Sequence, residues 1–182
     1  MNSRGFSLKP FPSSGLLPDL KITGSIERNS NALSISYLLS GPMDGILLPA
    51  PADISVRKKG LWEETCLEFF LGEKGSEQYW EFNLSPSGHW NVYRFNSYRQ
   101  GMREESAFTS FPFSVKFCPD SLLLSLVLEL DKFIPAERAP EVFQVGISTV
   151  VKTRDGRTTY WALVHPGPQA DFHRRDGFII EL

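Results

Sequence analysis

Apolar residues recur at every second position over several short stretches of the chain. Leu33, Ile35, Tyr37 and Leu39 alternate with Ser34, Ser36, Leu38 and Ser40. Leu122, Leu124, Leu126, Leu128 and Leu130 repeat the spacing with Ser125 and Glu129 opposite, and Phe143, Val145, Ile147 and Thr149 alternate with Gln144, Gly146 and Ser148. Successive side chains of a strand point to opposite faces, so this period predicts strands with one face against a core. Further strands are predicted over residues 7–10, 21–27, 65–71, 79–84, 90–95, 114–117, 158–164 and 178–181. No window of eleven residues carries a helical period; single turns are expected within 101–107 and 135–140. Gly (14) and Pro (13) supply turn signals between the strands, and no repeat of the chain is evident. The pattern predicts an all-β, single-domain antiparallel β-sandwich spanning residues 1–182.

Residues 65–95 allow a register to be written. With Leu67, Phe69 and Leu71 facing the core beside Trp80, Phe82 and Leu84, the predicted pairs are Leu67–Phe82 and Phe69–Trp80. Glu68 then stands opposite Glu81 on the other face. A four-residue loop, Pro86-Ser87-Gly88-His89, pairs Ser85 with Trp90, Phe82 with Tyr93, and Glu81 with Arg94. Glu68, Glu81 and Arg94 would form one row, with Asn83 and Tyr79 on the same face and Gln144 and Ser148 available to join it. Facing carboxylates repel unless a cation, a proton, a metal or a ligand offsets them. The row therefore reads either as an ion-pair network organising the sheet or as a polar face for a hydroxyl-rich ligand. Trp80 belongs to the expected core. Trp62, beside the charged loop Arg57-Lys58-Lys59-Gly60, and Trp90, after a turn, are candidate stacking surfaces for a sugar ring, with core packing the alternative for each.

Composition narrows the function classes. Lys+Arg is 19 against Asp+Glu 21, a net charge of -2, so no basic excess favours nucleic acid or an anionic membrane. Pro10, Pro12 and Pro18 interrupt any apolar run near the start, and no apolar run approaches a membrane span, so a cytoplasmic location is expected. Cys66 and Cys118 are expected as two buried free thiols. No G-x-S-x-G, P-loop, H-E-x-x-H or G-x-G-x-x-G occurs, no calcium loop is present, and no catalytic or metal residue is assigned. A retaining glycosidase would need a carboxyl pair at the separation expected for Glu68 and Glu81, but Arg94 beside Glu81 would keep that group ionised. His165 and His173 read as hydrogen-bonded loop anchors, with Asp171 placed to hold either ring.

Three longer stretches carry a likeness. Arg57 with Leu61-Trp62-Glu63-Glu64-Thr65-Cys66-Leu67-Glu68-Phe69-Phe70, then Tyr79-Trp80-Glu81-Phe82-Asn83-Leu84-Ser85-Pro86-Ser87-Gly88-His89-Trp90 continued by Tyr93, Tyr98-Arg99 and Gly101-Met102, and finally Trp161-Ala162-Leu163-Val164-His165-Pro166 with Asp171-Phe172-His173, resemble the signatures of bacterial DOMON-like domains. These are relatives of the family 9 carbohydrate-binding modules. The resemblance implies a jelly-roll sandwich that binds ligands on one sheet or at one end: sugar in the carbohydrate-binding relatives, haem or sugar in other DOMON domains. The expected function is non-catalytic binding of a carbohydrate or other polar small molecule, through Glu68, Glu81, Asn83 and Arg94 with Trp62 or Trp90 as stacking surface. No cofactor is expected. The alternatives are a haem-binding electron-transfer or sensor domain, in which Met43 and His165 follow the Met/His order of haem-binding relatives, and a protein-interaction scaffold.

Overall fold

The computed structural model describes residues 3–12, 19–135 and 142–182. Within them the chain forms β1 (Arg4–Ser7), β2 (Lys9–Pro10), β3 (Lys21–Asn29), β4 (Ala32–Ser40), β5 (Cys66–Glu73), β6 (Tyr79–Leu84), β7 (Trp90–Phe95), β8 (Arg103–Glu104), β9 (Ser114–Cys118), β10 (Ser121–Glu129), β11 (Phe143–Lys152), β12 (Thr158–Ala162) and β13 (Ile180–Glu181). Helical structure among the described residues is limited to short 3-10 turns. One sheet has the order β1-β3-β4-β10-β9; the other runs β2-β12-β11-β5-β6-β7-β8, with β13 paired to β11. All pairings between these strands are antiparallel, and the fold is the expected all-β sandwich.

Alternation settles the first sheet. Leu33, Ile35, Tyr37 and Leu39 of β4, and Leu122, Leu124, Leu126 and Leu128 of β10, are buried against the second sheet while their neighbours face outward. The second sheet contributes Leu67, Phe69, Leu71, Trp80, Phe82, Leu84, Trp90 and Val92 to the same core, where the Phe69 and Phe82 rings stack at 4.2 Å. Tyr37 crosses between the sheets and donates its hydroxyl proton to the Glu68 carbonyl at 2.8 Å. That bond satisfies a polar group in an otherwise apolar interior.

β5 and β6 are buried on both faces, which period-2 patterning alone does not foresee. Their outer face carries a second aromatic cluster, Phe70, Tyr79, Tyr93, Phe95 and Phe178, with Phe172 packed against it. The residues between β12 and β13 thus form a cover over this sheet. Two glycines let the cover lie flat: a Cβ on Gly146 would meet Phe178 Cδ1 at 2.7 Å, and one on Gly72 would meet the Arg175 guanidinium at 1.3 Å.

The register differs from expectation at both central hairpins. Between β5 and β6 the pairs are Leu67–Leu84, Glu68–Asn83, Phe69–Phe82 and Leu71–Trp80, a shift of two residues that keeps every side chain on its expected face. The connection turns later, at Glu73–Ser76, where the Ser76 N–H bonds the Glu73 carbonyl and Gly75 takes φ 82°. Between β6 and β7 the shift is one residue, giving Leu84–Trp90, Glu81–Tyr93 and Trp80–Arg94. The loop takes in Ser85, whose N–H bonds the His89 carbonyl and whose hydroxyl meets Ser87 Oγ at 2.8 Å. A one-residue slip exchanges faces, so Arg94 leaves the polar row and Tyr93 enters it. Of the two expected turns, 101–107 contains strand β8 instead, and 135–140 lies largely outside the described residues. Cys66 is buried as expected, but Cys118 is exposed at the end of β9, an edge strand.

Gly146→Val is expected to lift Phe178 and loosen the cover while leaving the core between the sheets intact. Overpacking of this kind costs about 1–3 kcal/mol. Amide exchange should accelerate in residues 165–178 with little change in β4 and β10; uniform acceleration would mean that the cover is not a separable layer.

Candidate functional site

The observed registers assemble the outer face of the second sheet from short rows. Ser148, Glu68, Asn83 and Asn91 form one row across β11, β5, β6 and β7. Gly146, Phe70, Glu81 and Tyr93 form the next. Glu68 and Glu81 are therefore diagonal neighbours rather than facing ones, and Asn83 joins them by donating from Nδ2 to Glu81 Oε1 at 3.0 Å.

Trp62, Glu68, Glu81, Phe95, Arg99, Met102, Val150, Tyr160, Ala170, Phe172 and His173 line a cavity of about 350 Å³ above these rows. Trp62 reaches it from the 3-10 turn Leu61–Glu63, which follows Gly60 in the left-handed conformation at φ 70°. The residue is 39% exposed, and its ring meets Tyr93 in a T-shaped contact at 5.8 Å while lining the cavity. Arg99 comes from the loop after β7, itself at φ 53°. Its guanidinium donates to Asp171 Oδ1 at 2.8 Å, and Tyr98 donates its hydroxyl proton to Asp171 Oδ2. Asp171 Oδ1 also accepts the His173 backbone N–H. These bonds clasp the cover to the rim.

Both glutamates are almost without solvent, with exposures of 2% for Glu68 and 5% for Glu81. Glu68 Oε2 accepts from Ser148 Oγ at 3.3 Å, while Glu68 Oε1 has no hydrogen-bond partner among the described residues. Burial, and then the neighbouring Glu81, pushes the Glu68 carboxyl well above the ordinary carboxylate range. Burial raises Glu81 to about 7, against the opposing pull of Asn83 and Arg99. Burial also lowers His173 to about 4, and Arg99 acts in the same direction. The His173 ring is neutral at pH 7. Tyr79 Oη accepts the Arg99 N–H at 3.2 Å, leaving its own proton for His173 Nδ1 at 2.9 Å. The ring proton then sits on Nε2, 3.8 Å from Glu81 Oε2 and beyond direct hydrogen bonding.

Of the six residues singled out by the sequence, Glu68, Glu81 and Trp62 line this cavity. Asn83 lies beneath it as the bridge to Glu81. Arg94 stands on the other face, its Cζ 5.3 Å from the Trp80 ring and its Nη2 bonded to Gln78. Trp90 offers no open ring: it is 2% exposed, packed on Phe111 and roofed by the Arg57 guanidinium at 4.5 Å. Arg57 is no solvated surface charge, since it also bonds Asn91 and the carbonyls of Glu105 and Phe108. Ser148 joins the site through Glu68, whereas Gln144 accepts from Arg175. Met43 packs against the core between the sheets, and His165 Nε2 bonds the Lys9 carbonyl; neither lines the cavity, so the pair does not fit an axial haem site there. No cluster of three or more metal-ligating side chains occurs among the described residues, and no described helix is long and apolar enough to cross a membrane. Sequence reasoning missed Phe95, Arg99, Tyr160 and Phe172 as lining residues. Their signal was limited to lying in or beside the stretches that carry the family likeness.

No family model matches the chain, and no curated protein matches it. Solved structures do. A candidate carbohydrate-binding protein from Bacteroides uniformis superposes with a TM-score of 0.69 at 11% identity, over 97% of this chain and 83% of that one. A family 9 carbohydrate-binding module from Caldicellulosiruptor kristjanssonii, solved with cellotriose, gives 0.55 at 11% identity over 91% and 74%. With glucose bound, a family 9 module from that organism gives 0.54 at 12% identity over 96% and 82%. At these identities the likeness is one of fold.

The opposed shifts have a consequence for stability. Glu81, raised from 4.5 to about 7, binds more proton in the native than in the unfolded chain, so stability falls as pH rises through that window. His173, lowered from 6.5 to about 4, binds less, so stability falls as pH drops through its window. The two oppose each other where the windows overlap. Glu81→Gln removes the first effect together with the part of the Glu68 shift that Glu81 causes and leaves that of His173, so its thermal midpoint should fall more steeply than the wild type's on acidification from about pH 6.5 to about pH 5. Equal slopes would show that Glu81 holds no extra proton.

Proposed function

We propose that the protein binds a carbohydrate in the cavity on the outer face of the second sheet. The observation that carries this reading is the cavity floor: two buried carboxyls, one with an oxygen lacking a partner among the described residues, beneath walls of aromatic rings. Sugar hydroxyls both donate and accept, and the C–H face of a pyranose packs on an aromatic ring. Glu68 and Glu81 would exchange hydrogen bonds with the hydroxyls, Arg99 would donate from the rim, and the Trp62 ring would carry the sugar. Two neighbours that share the fold are carbohydrate-binding modules, solved with cellotriose and with glucose, which supports the same class of ligand here. The DOMON-like relationship and a cytoplasmic location belong to this proposal as expectations from the sequence.

Thermal unfolding against glucose, galactose, mannose and cellotriose tests it. A ligand at 100 times its Kd adds about 2.7 kcal/mol of stability, worth several degrees in a domain of this size. A shift should appear with at least one sugar. Trp62→Ala and Glu68→Gln should each weaken that binding at least tenfold, about 1.4 kcal/mol. Unchanged affinity in both variants would place the ligand elsewhere.

A further inference from the structure

The charges around the cavity do not balance. The titratable groups lining it are Glu68 from β5, Glu81 from β6, Arg99 from the rim, Tyr160 from β12 and His173 from the cover; Cys66, Tyr79, Tyr93 and Asp171 lie beside them, and Arg175 packs further along the same face over Gly72, bonded to the Glu73 carbonyl and Gln144. Burial keeps the Cys66 thiol and the Tyr79 and Tyr93 phenols protonated, and His173 is neutral. Arg99 is matched by Asp171 at 2.8 Å, and its side chain is half exposed. The two glutamates remain, without a cation of their own. Each has an oxygen open to a further donor: Glu68 Oε1 has no partner among the described residues, and Glu81 Oε2 has His173 Nε2 only at 3.8 Å.

A hydroxyl reaching this floor supplies one proton and no charge, so two carboxylates would still be desolvated side by side. Keeping them protonated relieves the repulsion, and a hydroxyl oxygen can accept from either acid, but the floor then gains no charge-assisted bond from its ligand. An ammonium group supplies three donors and a positive charge at once. The rings of Trp62, Phe95, Tyr160 and Phe172, which line the walls, suit a cation as well as they suit a sugar face.

We propose that the group seated between Glu68 and Glu81 is a protonated amine, and that the preferred ligand of the cavity is an amino sugar whose amine is free. This rests on the carbohydrate-binding reading of the same cavity and adds the charge of the ligand. Each floor carboxyl that ionises as the ammonium enters releases its proton to the buffer. N-acetylation removes the charge and adds bulk where the carboxyls meet the ligand, and is expected to abolish the preference.

Titration calorimetry of the full chain at about pH 6.5 tests this with matched pairs: glucosamine and glucose, galactosamine and galactose, mannosamine and mannose, together with N-acetylglucosamine and cyclohexylammonium. At least one amino sugar should bind tenfold or more tightly than its neutral partner. Its enthalpy should vary with the ionisation enthalpy of the buffer in the direction of proton release. Glu68→Gln and Glu81→Gln should each erase the preference, and rescue in either variant by the neutral sugar would reinforce the assignment. Neutral sugars binding as tightly as amino sugars would overturn the amine and leave the carbohydrate reading standing. Cyclohexylammonium binding as tightly as the amino sugars, with neutral sugars silent, would support the amine and overturn the carbohydrate reading. Absence of binding by every probe would overturn both.

Discussion

The structure depends on the burial of β5 and β6 on both faces. Their inward residues, Leu67, Phe69, Leu71, Trp80, Phe82 and Leu84, join the first sheet in the main core. Their outward residues would ordinarily face water in a sandwich. Here the cover between β12 and β13, with Phe172, His173 and Phe178, and the loop after β7, with Tyr98 and Arg99, close over them. Every polar group on that face must then find a partner inside the protein or inside a ligand.

Most of them do. Asn83 bonds Glu81, Asn91 bonds Tyr93 and Arg57, Ser148 bonds Glu68, and Tyr79 bonds His173. Among the described residues two atoms on this face do not: Arg175 Nη1, over Gly72, and Glu68 Oε1, which lies where the cover leaves a cavity instead of packing. An incomplete network in a low-dielectric setting is costly on its own, and a ligand completing it gains what the protein forgoes. The opposed shifts of Glu81 and His173 have the same origin, since each group is neutralised by loss of water rather than by a partner of opposite charge.

Cationic side chains show how sharply position decides role. Arg57, Arg94 and Arg175 sit over Trp90, Trp80 and Phe178, with the guanidinium carbon 4.5–5.3 Å from the ring centroid, while bonding carbonyl or amide oxygens. They are structural props, taken out of contention for the ligand. Arg99, held by a single carboxylate at the rim, is the arginine that lines the cavity. A fold shared with carbohydrate-binding modules at 11–12% identity leaves ample room for such redistribution of charge.

Alternation along the chain was enough to establish the all-β sandwich, most of its strands, and the polar face that carries Glu68, Glu81 and Asn83, because period-2 burial is a local property of a strand. Trp80 in the core was legible for the same reason. Register was not, because it depends on where a turn closes. Ser85 and Ser87 bonding within the loop moved Arg94 off the site and Tyr93 onto it, and the late turn at Gly75 turned a facing carboxyl pair into a diagonal one. Trp62 and Trp90 were indistinguishable in sequence, and only the packing of Arg57 and Phe111 over one of them separated the open ring from the buried one. The walls and the charge of the cavity were decided by tertiary structure alone. Ala170, Phe172 and His173 come from a segment about ninety residues after Glu81 that folds back to meet Trp62, Phe95 and Arg99, and desolvation depends on what covers a group rather than on its neighbours in sequence.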